Sequence, residues 1–145
     1  LARFFGTLLA EIVRENNVAS DLVVPVPLST SRHSERGFNQ AEELAIPVAK
    51  ALGVCCANDV LIRVKNTGRQ TECRDNDERQ LNVRGAFEVN CDWDIEGLTI
   101  VLVDDVATTG ATMHEAASAL LDMGACKVLC LAFASNRSVK NAETL

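Results

Sequence analysis

The chain has 145 residues, of which 48% are hydrophobic and 23% are charged, and its formal net charge at pH 7 is −6. A chain of this size and composition is typical of one globular domain with a buried core, so we treat residues 1–145 as a single domain. The negative charge argues against general binding to nucleic acids. No apolar run approaches the roughly 20 residues that a membrane-spanning helix needs, so we expect no membrane insertion.

The positions of the cysteines and of the charged residues bear on the cellular compartment and on anion binding. The sequence has six cysteines, and no two of them have the Cys-x-x-Cys spacing of a zinc site. Scattered thiols of this kind are typical of a reducing cytoplasm. Residues 63–84 carry six basic and four acidic side chains in an otherwise acidic chain. Such a segment could close over an anion, or it could be a solvated loop of mixed charge.

Helical and strand patterns alternate along the chain. In chain order, they predict a helix over 3–16, a strand over 21–26, a helix over 39–52, short strands over 60–64 and 86–89, a strand over 100–103, a helix over 109–123 and a buried strand over 127–134. Gly53 and Gly124 are expected to end the second and third helices, whereas Pro47 should kink or break the second. The first helix belongs to an N-terminal segment of residues 1–17.

This alternation predicts the fold class. Apolar strands that alternate with helices imply an α/β domain with an open parallel sheet and helices on both faces. Residues 65–84 are polar, have no period and are too long for a simple connector, so they predict a flexible excursion at about residues 65–85, either a mobile lid or a small two-stranded unit. Ligands of such sheets bind at the carboxyl ends of the strands.

Two neighbouring carboxylates, Asp104 and Asp105, follow the apolar strand at residues 100–103. Carboxylates at the end of a buried strand are costly unless cations or hydroxyl groups satisfy them. Ribose hydroxyls can do so directly, and Mg²⁺ can bridge. The pair would also stabilise a ribosyl ring that becomes cationic as a leaving group departs. The alternative is a solvated acidic turn.

The loop after the carboxylates is composed of small and hydroxyl-bearing residues. Its members are Val106, Ala107, Thr108, Thr109, Gly110, Ala111 and Thr112. Backbone N–H groups in such a loop can approach an anion closely, and the helix that follows adds the positive end of its dipole. The Gly-x-x-x-x-Gly-Lys pattern of a nucleoside triphosphate site is missing. Together with the aspartates, the loop predicts a ligand such as ribose 5-phosphate.

The stretch VLVDDVATTGAT at residues 101–112 resembles the phosphoribosyl pyrophosphate signature of type I phosphoribosyltransferases. Three further stretches resemble the ComF/GntX group of phosphoribosyltransferase-like proteins. They are VPVPLSTSRHSERGFNQAEELA at 24–45, Thr-x-x-Gln at 67–70 and RQLNVRGAF at 79–87. The resemblance covers about residues 22–134. It implies binding of phosphoribosyl pyrophosphate with Mg²⁺ and glycosyl transfer with release of pyrophosphate.

The resemblance also implies roles for individual residues. Asp104 and Asp105 would be the catalytic pair that holds the ribose hydroxyls, directly or through Mg²⁺, and residues 106–112 would bind the 5-phosphate. The pyrophosphate would be met by the turn after the first strand, by nearby arginines and by polar positions of the lid. These residues are Pro27, Leu28, Ser29, Arg32, Arg36, Gln70, Arg79 and Asn82.

The sequence departs from the family pattern at both ends. Family members often carry an N-terminal cysteine-rich zinc module, and this chain does not. Because the chain begins with Leu1, we expect that a preceding segment is missing. About a dozen residues follow the last predicted strand, which is little material for the hood that grips a base in type I enzymes. The sequence therefore does not name an acceptor base, and it is compatible with a homodimer.

A second hypothesis is a non-catalytic accessory protein. The ComF-like resemblance implies a link to natural competence and DNA uptake, with a competence-machinery partner, a sensed nucleotide or phosphoribosyl ligand, or bound single-stranded DNA. The candidate DNA contacts are Arg63, Lys65, Arg69, Arg74, Arg79 and Arg84. A third hypothesis, a metal-assisted phosphohydrolase, lacks a convincing set of further ligands near Asp104.

Overall fold

Helices and strands alternate in the computed structural model, which describes residues 2–17, 19–28, 37–64, 85–107 and 109–135. In chain order, the elements are α1 (Ala2–Glu15), β1 (Leu22–Pro25), α2 (Gln40–Leu52), β2 (Cys55–Cys56), β3 (Leu61–Arg63), β4 (Phe87–Val89), β5 (Thr99–Ala107), α3 (Ala111–Asp122) and β6 (Lys127–Ser135). The predicted order of helices and strands is confirmed, and β2 is an addition to it.

Four of the strands form one parallel sheet in the order β2-β1-β5-β6. Residues Leu22–Pro25 of β1 pair with Ile100–Val103 of β5 in register. The chain leaves β1 through α2 to reach β2, and it leaves β5 through α3 to reach β6 on the other side. The strand order therefore reverses between β1 and β5, which makes this pair the topological switch point of the sheet. The predicted open parallel sheet is confirmed.

Side chains of the two central strands alternate between two cores, as the pleat of a strand requires. Val24 and Leu102 point into a core that α3 and the β3–β4 pair cover. Val23 and Val101 point into a second core beneath α1 and α2. Helices thus cover both faces of the sheet, because crossovers of one hand that run in opposite directions lie on opposite faces.

The strands predicted at residues 60–64 and 86–89 do not join the parallel sheet. They form a separate antiparallel pair, β3–β4, in which Arg63 is opposite Phe87. The N–H of Val64 donates to the carbonyl of Ala86 at 2.8 Å and extends this pairing by one step. Strands that pair in the antiparallel sense need no parallel crossover between them. The pair brackets residues 65–84, which lie outside the described residues.

The predicted break at Pro47 does not occur, since α2 is continuous from Gln40 to Leu52 and ends at Gly53 as expected. A proline removes one N–H donor, and the carbonyl that loses it belongs to the exposed residue Glu43, where water can replace the bond. Pro47 instead meets the backbone of α1. A Cβ added at Gly6 would lie 2.8 Å from Pro47 Cβ and 3.0 Å from the Leu44 carbonyl oxygen.

The strand β6 is more exposed than its apolar sequence suggests. It ends the strand order within the described sheet, so it has one strand neighbour there, β5. Cys126, just before it, and Cys130 within it are exposed, and Phe133 is 43% exposed. The prediction of a fully buried strand was therefore wrong. None of the described helices is long and apolar enough to cross a membrane.

The contact between Gly6 and Pro47 generates a stability prediction. Replacement Gly6→Ala should lower the free energy of unfolding by about 1 kcal/mol, because overpacking costs about 1–3 kcal/mol and the better helix propensity of alanine returns about 1 kcal/mol. Urea denaturation followed by circular dichroism measures this change. In a Pro47→Ala background, which removes the nearest ring atom, the same replacement should cost less. A stabilising effect of Gly6→Ala in both backgrounds would contradict the packing described.

Candidate functional site

The carboxyl end of β1 lies beside Val103, the residue of β5 that precedes the two aspartates. Pro25 pairs with Val103, and one residue further on the N–H of Val26 donates to the Val103 carbonyl at 2.8 Å. The turn that begins at Pro27 and Leu28 therefore starts beside the carboxylates that follow Val103. Pro27 and Leu28 are half-buried. The fold thus brings together the two parts of the site that the sequence places far apart.

Asp104 and Asp105 occupy consecutive positions near the end of β5, and both are half-buried. An Asp104 carboxylate oxygen accepts a hydrogen bond from the Asp105 N–H at 2.8 Å. An Asp105 carboxylate oxygen accepts one from the Val106 N–H at the same distance. These local bonds fix both side chains against the end of the strand. Their remaining oxygen lone pairs define an acidic site in the carboxyl half of the central strand β5.

The environment favours a protonated Asp104. Burial, followed by a hydrogen bond with the Asp105 carboxyl and by its negative charge, raises the pKa of Asp104 from 3.8 to about 7. The Asp105 backbone N–H and the positive charge of Arg63 act in the opposite direction on this pKa. The net upward shift means that ionising Asp104 is unfavourable in the absence of a further partner. A hydroxyl donor or a cation would supply that partner.

The loop after the carboxylates leads directly into α3. Gly110 has φ +79° and ψ 0°, the left-handed region, and precedes the first helical residue. Its carbonyl accepts the His114 N–H at 2.8 Å, and the hydroxyl of Thr109 accepts the Ala111 N–H at 3.3 Å. A Cβ at Gly110 would meet nothing within 4 Å, so conformation rather than space favours glycine there.

This loop has the elements of an anion site. The first N–H groups of an α-helix have no partner within the helix and carry its positive dipole end. Gly110, Ala111 and Thr112 are half-buried, and Val106 is 45% exposed. Thr108 lies outside the described residues. The described part of the predicted 5-phosphate loop therefore leads from the carboxylate pair into a helix N-terminus.

On the other side of the switch point, Asn39 joins β1 to α2. Its amide nitrogen donates to the Val26 carbonyl at 3.1 Å, and its side-chain oxygen accepts the Ala41 N–H at the same distance. Asn39 thus caps α2 and connects the start of this helix to Val26, which directly follows β1. This role of Asn39 was not among the sequence predictions. An asparagine three residues before Glu42 at a helix start was the signal for it.

The position of Arg63 against a buried ring is a feature that the sequence did not reveal. Its guanidinium carbon lies 5.2 Å from the centroid of the Phe87 ring. Phe87 is 5% exposed and belongs to the core that also contains Leu102. The positive charge of Arg63 lowers the pKa of Asp104, and it is the smallest of the influences on that carboxyl.

Glu115 connects α3 to the β3–β4 unit. An Oε atom of Glu115 accepts a hydrogen bond from the Gly85 N–H at 3.2 Å. Gly85 is the first described residue after the segment of residues 65–84. α3, which begins after the loop of residues 106–110, thus contacts the chain at Gly85, directly after the predicted excursion of residues 65–84.

Several predicted site residues lie outside the described residues, and their roles remain predictions. They are Ser29, Arg32, Arg36, Gln70, Arg79, Asn82 and Thr108. Within the described residues, no group of three or more histidine, cysteine or acidic residues could hold a metal ion. Two carboxylates nevertheless fit Mg²⁺, which prefers oxygen ligands and commonly takes the others from substrate phosphates and water.

Comparison with known proteins adds to this geometry. A model of the phosphoribosyl transferase domain family matches residues 6–143. The DNA utilization protein YhgH of Salmonella typhi is 40% identical over 108 residues, which are 74% of this chain and 46% of that protein. Competence protein ComFC of Bacillus subtilis is 38% identical over 108 residues, 71% of this chain and 39% of that protein. The chain spans about half the length or less of these curated relatives.

The fold is similar to that of solved phosphoribosyl enzymes. The glutamine phosphoribosylpyrophosphate (PRPP) amidotransferase from B. subtilis, solved in complex with ADP and GMP, aligns with a TM-score of 0.61 and 25% identity. The alignment covers 91% of this chain and 26% of that one. The relatives and this neighbour confirm the resemblance to the ComF/GntX group and to the type I phosphoribosyltransferase fold.

The raised pKa of Asp104 generates a prediction on stability against pH. Well below pH 3.8 the carboxyl is protonated in the folded and the unfolded chain, so its burial costs little. As pH rises from about 4 to 7, the unfolded chain ionises first and the folded state loses stability relative to it. Replacement Asp104→Asn removes this loss. The stability gained by Asp104→Asn should therefore grow with pH and level off above about pH 8.

Urea denaturation of both proteins at intervals from pH 4 to 9 measures this difference. Asp92→Asn, at an exposed carboxyl distant in sequence from the site, controls for the loss of one negative charge. A difference between Asp104→Asn and the parent chain that is independent of pH, or that shrinks as pH rises, would show that the burial of Asp104 does not penalise its charge.

Proposed function

Because the chain belongs to the phosphoribosyl transferase domain family, within its ComF/GntX group, we propose that it binds phosphoribosyl pyrophosphate with Mg²⁺ and transfers the phosphoribosyl group with release of pyrophosphate. One observation carries the proposal. The carboxylate pair Asp104–Asp105 lies at the switch point between the turn at Pro27 and the helix N-terminus at Gly110. A ligand with hydroxyls between two anionic groups matches this order.

The proposed mechanism assigns the ribose to the carboxylates. Asp104 and Asp105 accept hydrogen bonds from the 2- and 3-hydroxyls, which offsets the cost of their partial burial. The 5-phosphate accepts hydrogen bonds from backbone N–H groups of residues 107–112. With both ends of the sugar held, C1 is oriented towards an incoming nucleophile, which lowers the entropic part of the barrier.

In the chemical step, the bond between C1 and the pyrophosphate oxygen breaks, and its electron pair leaves with pyrophosphate. Positive charge develops on C1 and the ring oxygen, and the nearby carboxylates stabilise it. A nitrogen lone pair of the acceptor then forms the new bond to C1. Bound Mg²⁺ would neutralise charge on the departing pyrophosphate. Pro27, Leu28 and Ser29 are the proposed pyrophosphate turn, and Arg32, Arg36, Gln70, Arg79 and Asn82 are its proposed polar partners.

A second candidate function is a non-catalytic role in competence or DNA utilization, which the names of the relatives favour. In this case the same pocket would sense a phosphoribosyl ligand. Of the six basic residues proposed to grip single-stranded DNA, Arg63 alone lies within the described residues. It is half-buried and stacks on Phe87, which weighs against a role in an open DNA groove. The described cysteines are free, which fits the cytoplasm as the proposed location.

Ligand binding tests the proposal directly. Isothermal titration with phosphoribosyl pyrophosphate should give saturable binding that strengthens when Mg²⁺ is added. The double variant Asp104→Asn, Asp105→Asn should bind about tenfold or more weakly, because each charge-assisted hydrogen bond contributes about 1.5–3 kcal/mol. Asp92→Asn should bind like the parent chain. Absence of saturable binding, or equal binding by the double variant, would refute the phosphoribosyl site.

Turnover separates the two candidate functions. Pyrophosphate release should be detected with at least one base from a panel of purines and pyrimidines, and it should be lost in the double aspartate variant. Binding without release from any base would favour the sensing function. DNA binding is the third measurement. It uses the fluorescence anisotropy of a labelled single-stranded oligonucleotide over a range of salt concentrations. Salt-sensitive binding there, together with absent release, would favour the DNA-binding form of that function.

A further inference from the structure

The helix α1 has an exposed apolar stripe in addition to its buried face. Phe4, Leu8 and Ile12 are four residues apart, so they lie on one side of the helix. Their side chains are 69%, 47% and 44% exposed. A single exposed leucine is ordinary, but three large apolar side chains in a row on one helix mark an interaction surface.

The stripe faces the side of the domain where β6 lies. Successive helical residues are rotated by about 100°, which places the stripe opposite Gly6, the residue that meets Pro47 of α2. Phe5 lies beside the stripe, and its ring centroid is 4.0 Å from that of Phe133 in β6. The centroids of Phe4 and Phe5 are 5.6 Å apart. These three rings join the stripe and the strand β6 into one surface.

The outer edge of β6 lacks the features that protect edge strands from pairing. Within the described sheet, β6 pairs with β5 alone. Residues 128–135 include no charged residue and no proline, and the constant register from Lys127 to Ser135 shows that no bulge interrupts the strand. Alternate N–H and C=O groups of an edge strand point away from its sheet, so an edge of this kind pairs readily with another strand.

A second copy of the chain fits this surface. A two-fold axis perpendicular to the sheet brings the β6 strands of two copies together as antiparallel neighbours. The same axis keeps both α1 helices on one face of the joined sheet, where the two stripes meet in antiparallel orientation. Leu8, in the middle of its stripe, then lies near the axis. One symmetry operation thus covers both the stripe and the strand edge.

The size of the surface is also suitable for a dimer. β6 has nine residues, and α1 packs on it as a second layer. A strand of that length spans about 30 Å, and two layers about 10 Å apart give a face on the order of 600 Å². This area is comparable with the roughly 800 Å² that a standard interface buries on each partner.

We propose that the chain forms a two-fold symmetric dimer through the outer edge of β6 and the stripe of Phe4, Leu8 and Ile12. The two four-stranded sheets become one continuous sheet in this dimer, with β6 of each copy at its centre. The dimer requires no ligand, so this inference is independent of the proposed function.

The oligomeric state of matched variants tests the inference. Leu8 and Leu121 are equally exposed leucines, at 47% and 46%, but Leu121 lies on α3, which covers the opposite face of the sheet. Leu8→Glu should raise the dissociation constant of the dimer about a hundredfold or more, because each dimer contains the substitution twice and the new charges repel. Leu121→Glu should leave that constant unchanged. Phe4→Ser, which removes the most exposed ring, should also weaken the dimer.

Sedimentation velocity over a micromolar to millimolar range of protein concentration measures these constants, and thermal melts identify any folding defect. Hydrogen exchange gives a second readout, since outward N–H groups of β6 should be protected in the parent dimer and lose protection in Leu8→Glu. A parent chain that stays monomeric throughout this range would overturn the inference and leave the surface to a partner of another sequence. A dimer that both Leu8→Glu and Phe4→Ser retain, or that Leu121→Glu disrupts, would place the interface elsewhere and also overturn it.

Discussion

The parallel pairing of β1 with β5 is the constraint on which the rest of the structure depends. Because Leu22–Pro25 lies in register with Ile100–Val103, β1 ends beside Val103, and β5 continues alongside β6 to Ala107. Their crossovers leave in opposite directions and carry α2 and α3 to opposite faces. In sheets of this topology, ligands bind at the carboxyl ends of the strands beside the switch point. The carboxylates and the described parts of the turn after β1 and of the loop before α3 lie at that end of the sheet.

The carboxylate pair is stable in this position because β5 is anchored on both faces. Ile100–Val103 is fully buried, and the half-buried aspartates follow at once. The core holds the strand, and the strand presents the carboxylates where solvent reaches them only in part. This placement has a free-energy cost, because partial burial disfavours the ionised form of Asp104 and raises its pKa. Partners that donate hydrogen bonds or positive charge reduce that cost, which couples the stability of the site to its occupancy.

Local sequence signals predicted much of the fold and the place of the candidate site in it. The periodic apolar patterns predicted the helices and central strands, Gly53 marked a helix end, and Asp104–Asp105 marked the carboxyl half of the strand beside the switch point. Contacts between distant residues were not predictable in this way. An apolar run such as that of β6 looks the same in an edge strand as in a central one. The three-residue strand β3 has no sequence feature that identifies its partner, and the stacking of Arg63 on Phe87 depends on the β3–β4 pairing.

The central claim is that two anion sites flank one carboxylate pair at the switch point. Phosphorus-31 nuclear magnetic resonance of phosphoribosyl pyrophosphate with Mg²⁺ tests it most directly, because the 5-phosphate and both pyrophosphate phosphorus atoms give separate signals. Addition of the protein should shift or broaden all three signals, and inorganic pyrophosphate and ribose 5-phosphate added together should reverse the change. Unperturbed signals, or perturbation of the pyrophosphate signals alone, would contradict a site built on the loop before α3.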